Sequence, residues 1–272
     1  MLIHTHASTN NATNLTTLKF NKGHLAYCTN IHPAETWEET WDALKQHTLI
    51  VRDKIEASGA GLPAPGYAIG LRLSAIAAKE LLESNNLEQF QLWLTQENCY
   101  VFTINGFPYG SFHGTRVKEK VYQPDWTSSE RLEYTNNLFI ILAQLVPEGI
   151  DGSVSTLPGS FKEFNADETE IFKNLASVDD PELIKRRIGI NYDTCHFALE
   201  FDDCHTSLDA LHGAGLRISK VHLSSALEFD PASEEALTKI KAFDEPTYLH
   251  QVIVQDANEN LTRFKDLPDF HT

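Results

Sequence analysis

From about residue 24 the chain alternates short apolar, β-branched runs with longer segments in which apolar positions recur every three or four residues. Repeated βα units around a parallel sheet produce that pattern. The strand-like runs are 25–31, 67–73, 99–105, 153–157, 188–193 and 218–223. Between them, Trp37, Trp41, Leu44, Thr48 and Val51 give one apolar face to a helix that Pro33 can open and that runs to about Ala57. Ser74 is placed to cap a helix over Ile76, Leu81 and Leu82, and Phe90, Trp93 and Leu94 share one side of a helix over 87–96. Thr127-Ser128-Ser129-Glu130 reads as a capping box, which predicts a helix over 128–146 stopped by Pro147. Further helices are predicted around 168–175, 181–187 and 207–214, and 248–255 with 261–265 flank DANEN as the arms of a hairpin would.

The count is therefore six βα strands, whereas a closed α/β barrel has eight. Only about 30 residues separate the fourth and fifth strands, enough for one crossover and tight for a further strand with two helices. The third strand leads into a long loop, GFPYGSFHGTRVKEKVYQPDW, of a length that usually serves function.

Composition narrows the class. The chain has 272 residues, 42% hydrophobic and 22% charged, so a self-sufficient core is expected. Residues 1–23, rich in Ser, Thr and Asn, read as a disordered N-terminal tail, and 24–272 as a single TIM-barrel-like domain. Twenty-two basic against 38 acidic residues give a net charge of −16, which argues against nucleic acid as a partner. Four scattered cysteines without a C-x-x-C pair read as reduced thiols, and with no secretory or membrane-spanning run the expected location is the cytoplasm. GxGxxG after a strand, GxxxxGK[ST] and GxSxG are all missing, so dinucleotide, P-loop and α/β-hydrolase functions lose their usual support.

Sites in parallel α/β folds lie at the carboxyl ends of the strands. The sharpest group there is YDTCH with VHL: Asp193, His196 and His222 could converge from neighbouring strand ends on Mn²⁺, Zn²⁺ or Mg²⁺. The competing structural roles are a helix cap for Asp193, a satisfied core ring for His222 and simple packing for Cys195. Arg72, on an otherwise apolar strand, requires an anionic partner, either substrate or an internal carboxylate. Asn105 ends the third strand and is a candidate substrate contact. His113, beside Arg116 and Lys118 in the long loop, is a candidate acid/base or phosphate-binding group, or else a solvated loop histidine. Cys204-His205, within an acidic run, reads as surface.

The runs AYCTNIHPAETWEE, GLRLS, YVFTINGFPYGSFHGTRVKEKVYQPDW, GSVSTLPGSFK, YDTCHFALEF, KVHLSSAL and FDEPTYLHQV, spread from Leu25 to Pro268, resemble the metabolite traffic protein EboE family. That family resembles the xylose isomerase-like TIM-barrel superfamily, which also holds sugar-phosphate isomerases, epimerases and endonuclease IV-type enzymes. The resemblance implies a divalent metal held by a strand-five Glu, a D-x-x-H at strand six, a strand-seven His and a strand-eight acid. Asp193 and His196 match the D-x-x-H, and His222 matches the strand-seven His. The implied function is the handling of a small polar metabolite by metal-assisted isomerase or epimerase chemistry, with His113 or His196 moving a proton. A non-catalytic carrier serving membrane-associated biosynthetic partners is the alternative, and an endonuclease IV-like nuclease a third. Two features depart from the pattern: KNLASVDDP stands where a helix and an acidic strand end are expected, and chain carrying the final strand is expected beyond Pro268. The favoured expectation is an incomplete product; the other is a short relative that has given up metal chemistry. Either way, metal binding should be weak, and an open sheet edge should promote association.

Overall fold

Residues 24–59, 62, 65–111, 118–177, 188–245 and 248–270 are described by a computed structural model. β1 (Tyr27–Cys28), β2 (Tyr67–Arg72), β3 (Cys99–Asn105) and β4 (Ser153–Ser155) lie side by side in that order, all parallel. Their crossovers carry α1 (Trp37–Ala43), α2 (Leu49–Ala57), α3 (Ala75–Leu81), α4 (Asn86–Gln96) and α5 (Ser129–Leu145). After α6 (Glu168–Ala176) comes a second unit, in which β5 (Ile190–Asp193) pairs in parallel with β6 (Ile218–His222) across α7 (Thr194–Leu199) and α8 (Cys204–Gly213). α9 (Glu234–Ile240) precedes an antiparallel hairpin of β7 (Val252–Gln255) and β8 (Leu261–Phe264), and α10 (Leu267–Phe270) follows it.

The core lies between the four-stranded sheet and its helices. Tyr67, Ile69, Leu71 and Leu73 alternate onto that side of β2 and meet Ala77 and Leu81 of α3, Phe90 and Leu94 of α4, and Leu138, Ile141 and Leu142 of α5. Burying each such large side chain contributes about 1.5–3 kcal/mol. A bulge in β3 controls what the other face carries: Ile69 pairs with Val101, but the next residue, Gly70, pairs with Thr103, which leaves Phe102 as the extra residue. Strict alternation from Val101 would send Asn105 into the helix-side core. The bulge inverts the phase, so Ile104 is buried in the core while Thr103 and Asn105 point to the opposite face.

The first helical segment differs from its sequence expectation at both ends and in the middle. It starts at Trp37 rather than near Pro33, because Thr36 and Glu39 form a reciprocal capping box. A five-residue π-helical stretch, Leu44–Thr48, then separates α1 from α2 while keeping Leu44 and Thr48 buried. The cap of α5 is Ser128, one residue later than expected, accepting from Arg131 N at 3.4 Å. Ser74 caps α3 as expected, accepting from Ala77 N at 3.0 Å. The helix predicted at 181–187 lies outside the described residues.

The observed architecture is mixed α/β with six parallel strands, in one sheet of four and one of two, plus the hairpin. Lys220 Nζ of β6 reaches Ser155 Oγ of β4 at 3.2 Å, yet no backbone ladder joins these strands, and no closed barrel occurs among the described residues. The second unit is also less covered: Val221 is 48%, Leu227 62% and Leu223 75% exposed.

Candidate functional site

The face of the first sheet opposite its helix-side core is polar because of the register. Cys28, Gly70, Thr103 and Ser153 form one row across four strands, and Arg72, Asn105 and Ser155 form the next. Thr103 and Ser153 hydroxyls meet at 2.9 Å. Asn105 Oδ1 accepts from Ser155 Oγ at 3.2 Å and from Phe107 N at 3.1 Å, so the candidate substrate residue Asn105 is held firmly at the strand end. Arg72 is only 3% exposed; it donates to Glu35 Oε1 at 3.1 Å, to Gly110 O at 2.9 Å and to Ala34 O. Of the two uses that its sequence position left open, the internal ion pair is present.

Asp193 and His222 are register partners at the ends of β5 and β6, and this brings the predicted cluster together. The two carboxylate oxygens of Asp193 do different work. Oδ1 is the N-cap of α7: it accepts from Cys195 N and Cys195 Sγ, each at 3.2 Å, and from the Ser224 hydroxyl. Oδ2 faces His222 Nδ1 at 3.4 Å and His196 Nε2 at 4.0 Å. The helix cap and the contacts with both histidines therefore coexist on one side chain.

Burial alone would raise the Asp193 pKa, but hydrogen bonds from His222, Ser224 and Cys195 outweigh it and hold the carboxyl well below the usual range. Burial pushes the Cys195 thiol up, and it lies with Asp193 and His196 in one cluster of ligand-type atoms. His222 presents Nδ1 to Asp193 and to Asn191 Nδ2, the latter at 3.4 Å, while its Nε2 is enclosed with no hydrogen-bond partner. His196 is on the first turn of α7 with its side chain 75% exposed, open to a ligand from solvent.

The loop after β6 is fastened to this centre. Thr194 Oγ1 donates to His222 O at 3.1 Å, and Ser224 N donates to Thr194 Oγ1 at 2.9 Å. Sequence reasoning overlooked Lys220, although the Ile218-Lys220-His222 alternation that turns His222 inward turns Lys220 inward as well. Burial pushes its amine down to about 8, with Cys28 opposing the shift from across the polar face.

The candidate His113 lies outside the described residues, as does Arg116. Lys118, at the end of that loop, pairs with Asp266 after the hairpin. Cys204 and His205 are exposed, as expected. Among the described residues no helix is long and apolar enough to cross a membrane. No protein-family model, curated protein or solved structure matches the chain.

Proposed function

We propose that this chain is an EboE-like member of the xylose isomerase-type TIM-barrel superfamily that acts on a small polar metabolite by isomerase or epimerase chemistry. The observation that carries the reading is the pairing of Asp193 Oδ2 with His222 Nδ1 and His196 at the carboxyl ends of adjacent parallel strands. An ionised carboxylate and an imidazole are donors suited to Mn²⁺, Zn²⁺ or Mg²⁺, and His222 Nδ1, 3.4 Å from Asp193 Oδ2, is the ring atom on the side of the carboxylate. Asp193 and His222 would hold the metal, which would supply Lewis-acid polarisation of a carbonyl or hydroxyl oxygen.

The protein's own groups account for the rest. The depressed pKa of Asp193 keeps it anionic, so it can hold a cation or orient an imidazole but is a weak proton acceptor. His196, exposed at the mouth, is the group placed to take a proton from the carbon beside a substrate carbonyl and return one to the former carbonyl carbon. The metal-capable cluster among the described residues holds a single carboxylate, which favours weak metal affinity and keeps a carrier as the second reading.

Solvent-exchange NMR tests the catalytic claim. With Mn²⁺ added, incubation with small aldoses, ketoses and their phosphates in D₂O should place deuterium at the exchanging carbon, and His196→Ala should abolish it. Saturable ligand binding with no deuterium incorporation would instead establish the carrier.

A further inference from the structure

Two inward-facing cations, Lys220 and Arg131, have no carboxylate within ion-pair distance among the described residues, and Arg131 is held instead by Pro124 O, Gly106 O and the rings of Tyr109 and Tyr134. Arg72 is paired with Glu35 and Lys118 with Asp266. Lys220 Nζ has one protein partner, Ser155 Oγ at 3.2 Å, and among the described residues no carboxylate lies within ion-pair distance of it. An ammonium has three N–H donors, so two remain for something else, on a face where leaving charge unpaired is unfavourable.

The neighbouring groups fix how that something would be bound. Ser155 Oγ accepts from Lys220 and donates its proton to Asn105 Oδ1, which also accepts from Phe107 N. The Asn105 carbonyl is thereby committed and its amide oriented, while its Nδ2 donates to no described residue. Lys220 and Asn105 thus present unused N–H donors on one polar face, braced by the hydroxyl between them. Such a set accepts oxygen atoms carrying negative charge. The groups beside them, Thr103 and Ser153, are hydroxyls; the charged neighbours are Arg72, register partner of Asn105 and itself paired with Glu35, and Asp193, which is engaged by His222 and Ser224.

We propose that Lys220, Asn105 and Ser155 form a subsite for the anionic group, carboxylate or phosphate, of the small metabolite. This inference rests on the reading that the carboxyl ends of the strands hold the substrate. Lys220 lies two residues from His222 on β6, so the anionic end would be anchored about 7 Å along the strand from the Asp193–His222 centre. The substrate class becomes a small sugar acid or sugar phosphate rather than a neutral sugar.

Protection from amine labelling tests it on the full-length chain. Without added metal, limiting trinitrobenzenesulfonate is applied and modification of Lys220 is followed by peptide mass spectrometry. Sodium phosphate and sodium acetate are added separately, against sodium chloride of equal ionic strength. Saturable protection of Lys220 by at least one anion is expected, with a midpoint on the order of 1 mM, as suits a single charged handle. The surface lysines Lys173 and Lys239 should label at unchanged rates. Protection by phosphate alone assigns a phosphate subsite, by acetate alone a carboxylate subsite. Ser155→Ala should keep the fold and raise the midpoint about tenfold, equivalent to roughly 1.4 kcal/mol. Protection no greater than at the surface lysines with either anion, or a midpoint unmoved in Ser155→Ala, overturns the proposal. Metal retention is measured separately: its absence with protection intact removes the metal reading and leaves this subsite, and the reverse removes the subsite alone.

Discussion

Replacing Asp193 by alanine removes two functions at once, and their sum follows from the bonds each oxygen makes. Losing the Oδ1 cap of α7, with its bonds from Cys195 and Ser224, costs about 1 kcal/mol. Losing the charge-assisted partner of His222 at Oδ2 costs about 1 kcal/mol more, since the Asp193 side chain is only 18% exposed and solvent screens the pair little. The expected total is roughly 2 kcal/mol, or a Tm lower by about 4–8 °C for a chain of this size. Asp193→Asn keeps a good capping side chain and discards the charge, so it should show about half the loss. The pH dependence separates the two further. Because the folded pKa is depressed, the charge contributes fully above the ordinary carboxylate value of about 3.9 and is lost as pH falls from there through the folded value. The gap between wild type and Asp193→Asn should therefore be constant near neutrality and close below about pH 4. Urea unfolding followed by circular dichroism measures all of this. An alanine variant as stable as the wild type, or an asparagine variant that falls as far as the alanine one, would refute the division of labour between the two oxygens.

Other consequences are equally concrete. Arg72→Met removes a nearly buried guanidinium and its bonds to Glu35, Gly110 O and Ala34 O and should cost about 3 kcal/mol in urea unfolding; a loss below about 1 kcal/mol would mean that the pair is not structural. A Cβ at Gly106 would lie 2.6 Å from Leu138 Cδ1 and 2.9 Å from Ser155 O, so Gly106→Ala should destabilise by about 1–3 kcal/mol, and an unchanged Tm would contradict the packing described. Val221, Leu223 and Leu227 are large and exposed on the second unit, so light scattering should show association that Leu223→Lys reduces; a monodisperse monomer of the wild type would contradict this.

The ends of β2, β3, β5 and β6 were legible to within a residue because each run is bounded by a polar or capping side chain, as at Ser74 and Asp193, whereas β1 stops at Cys28, where a 3-10 turn over Thr29–Ile31 replaces the expected strand, and β4 stops at Ser155. Asp193 and His222 were legible for the same reason: both stand at strand ends, and alternation turns them to one face. What escaped depends on contacts distant in sequence. The partner of Arg72 is Glu35, 37 residues earlier, and nothing local distinguishes that pairing from a substrate contact. The bulge at Phe102 is invisible in CYVFTIN, whose apolar character suits either phase, although the bulge decides that Asn105 faces away from the helix-side core. The division into two sheets turns on β4 and β6, which meet through Lys220 and Ser155 without forming a ladder. The π-helical stretch inside the first helical segment likewise conserves the apolar positions and so leaves no trace in their spacing.

The central claim, that Asp193 and His222 form a metal-assisted site, is tested most directly by equilibrium dialysis of chelator-treated protein against Mn²⁺ or Zn²⁺, with metal content read by mass spectrometry. One ion per chain is predicted, bound weakly because a single carboxylate serves it, and lost in both Asp193→Asn and His222→Ala while His205→Ala, on the exposed surface, binds as the wild type does. No saturable binding, or binding that survives both substitutions, would contradict it.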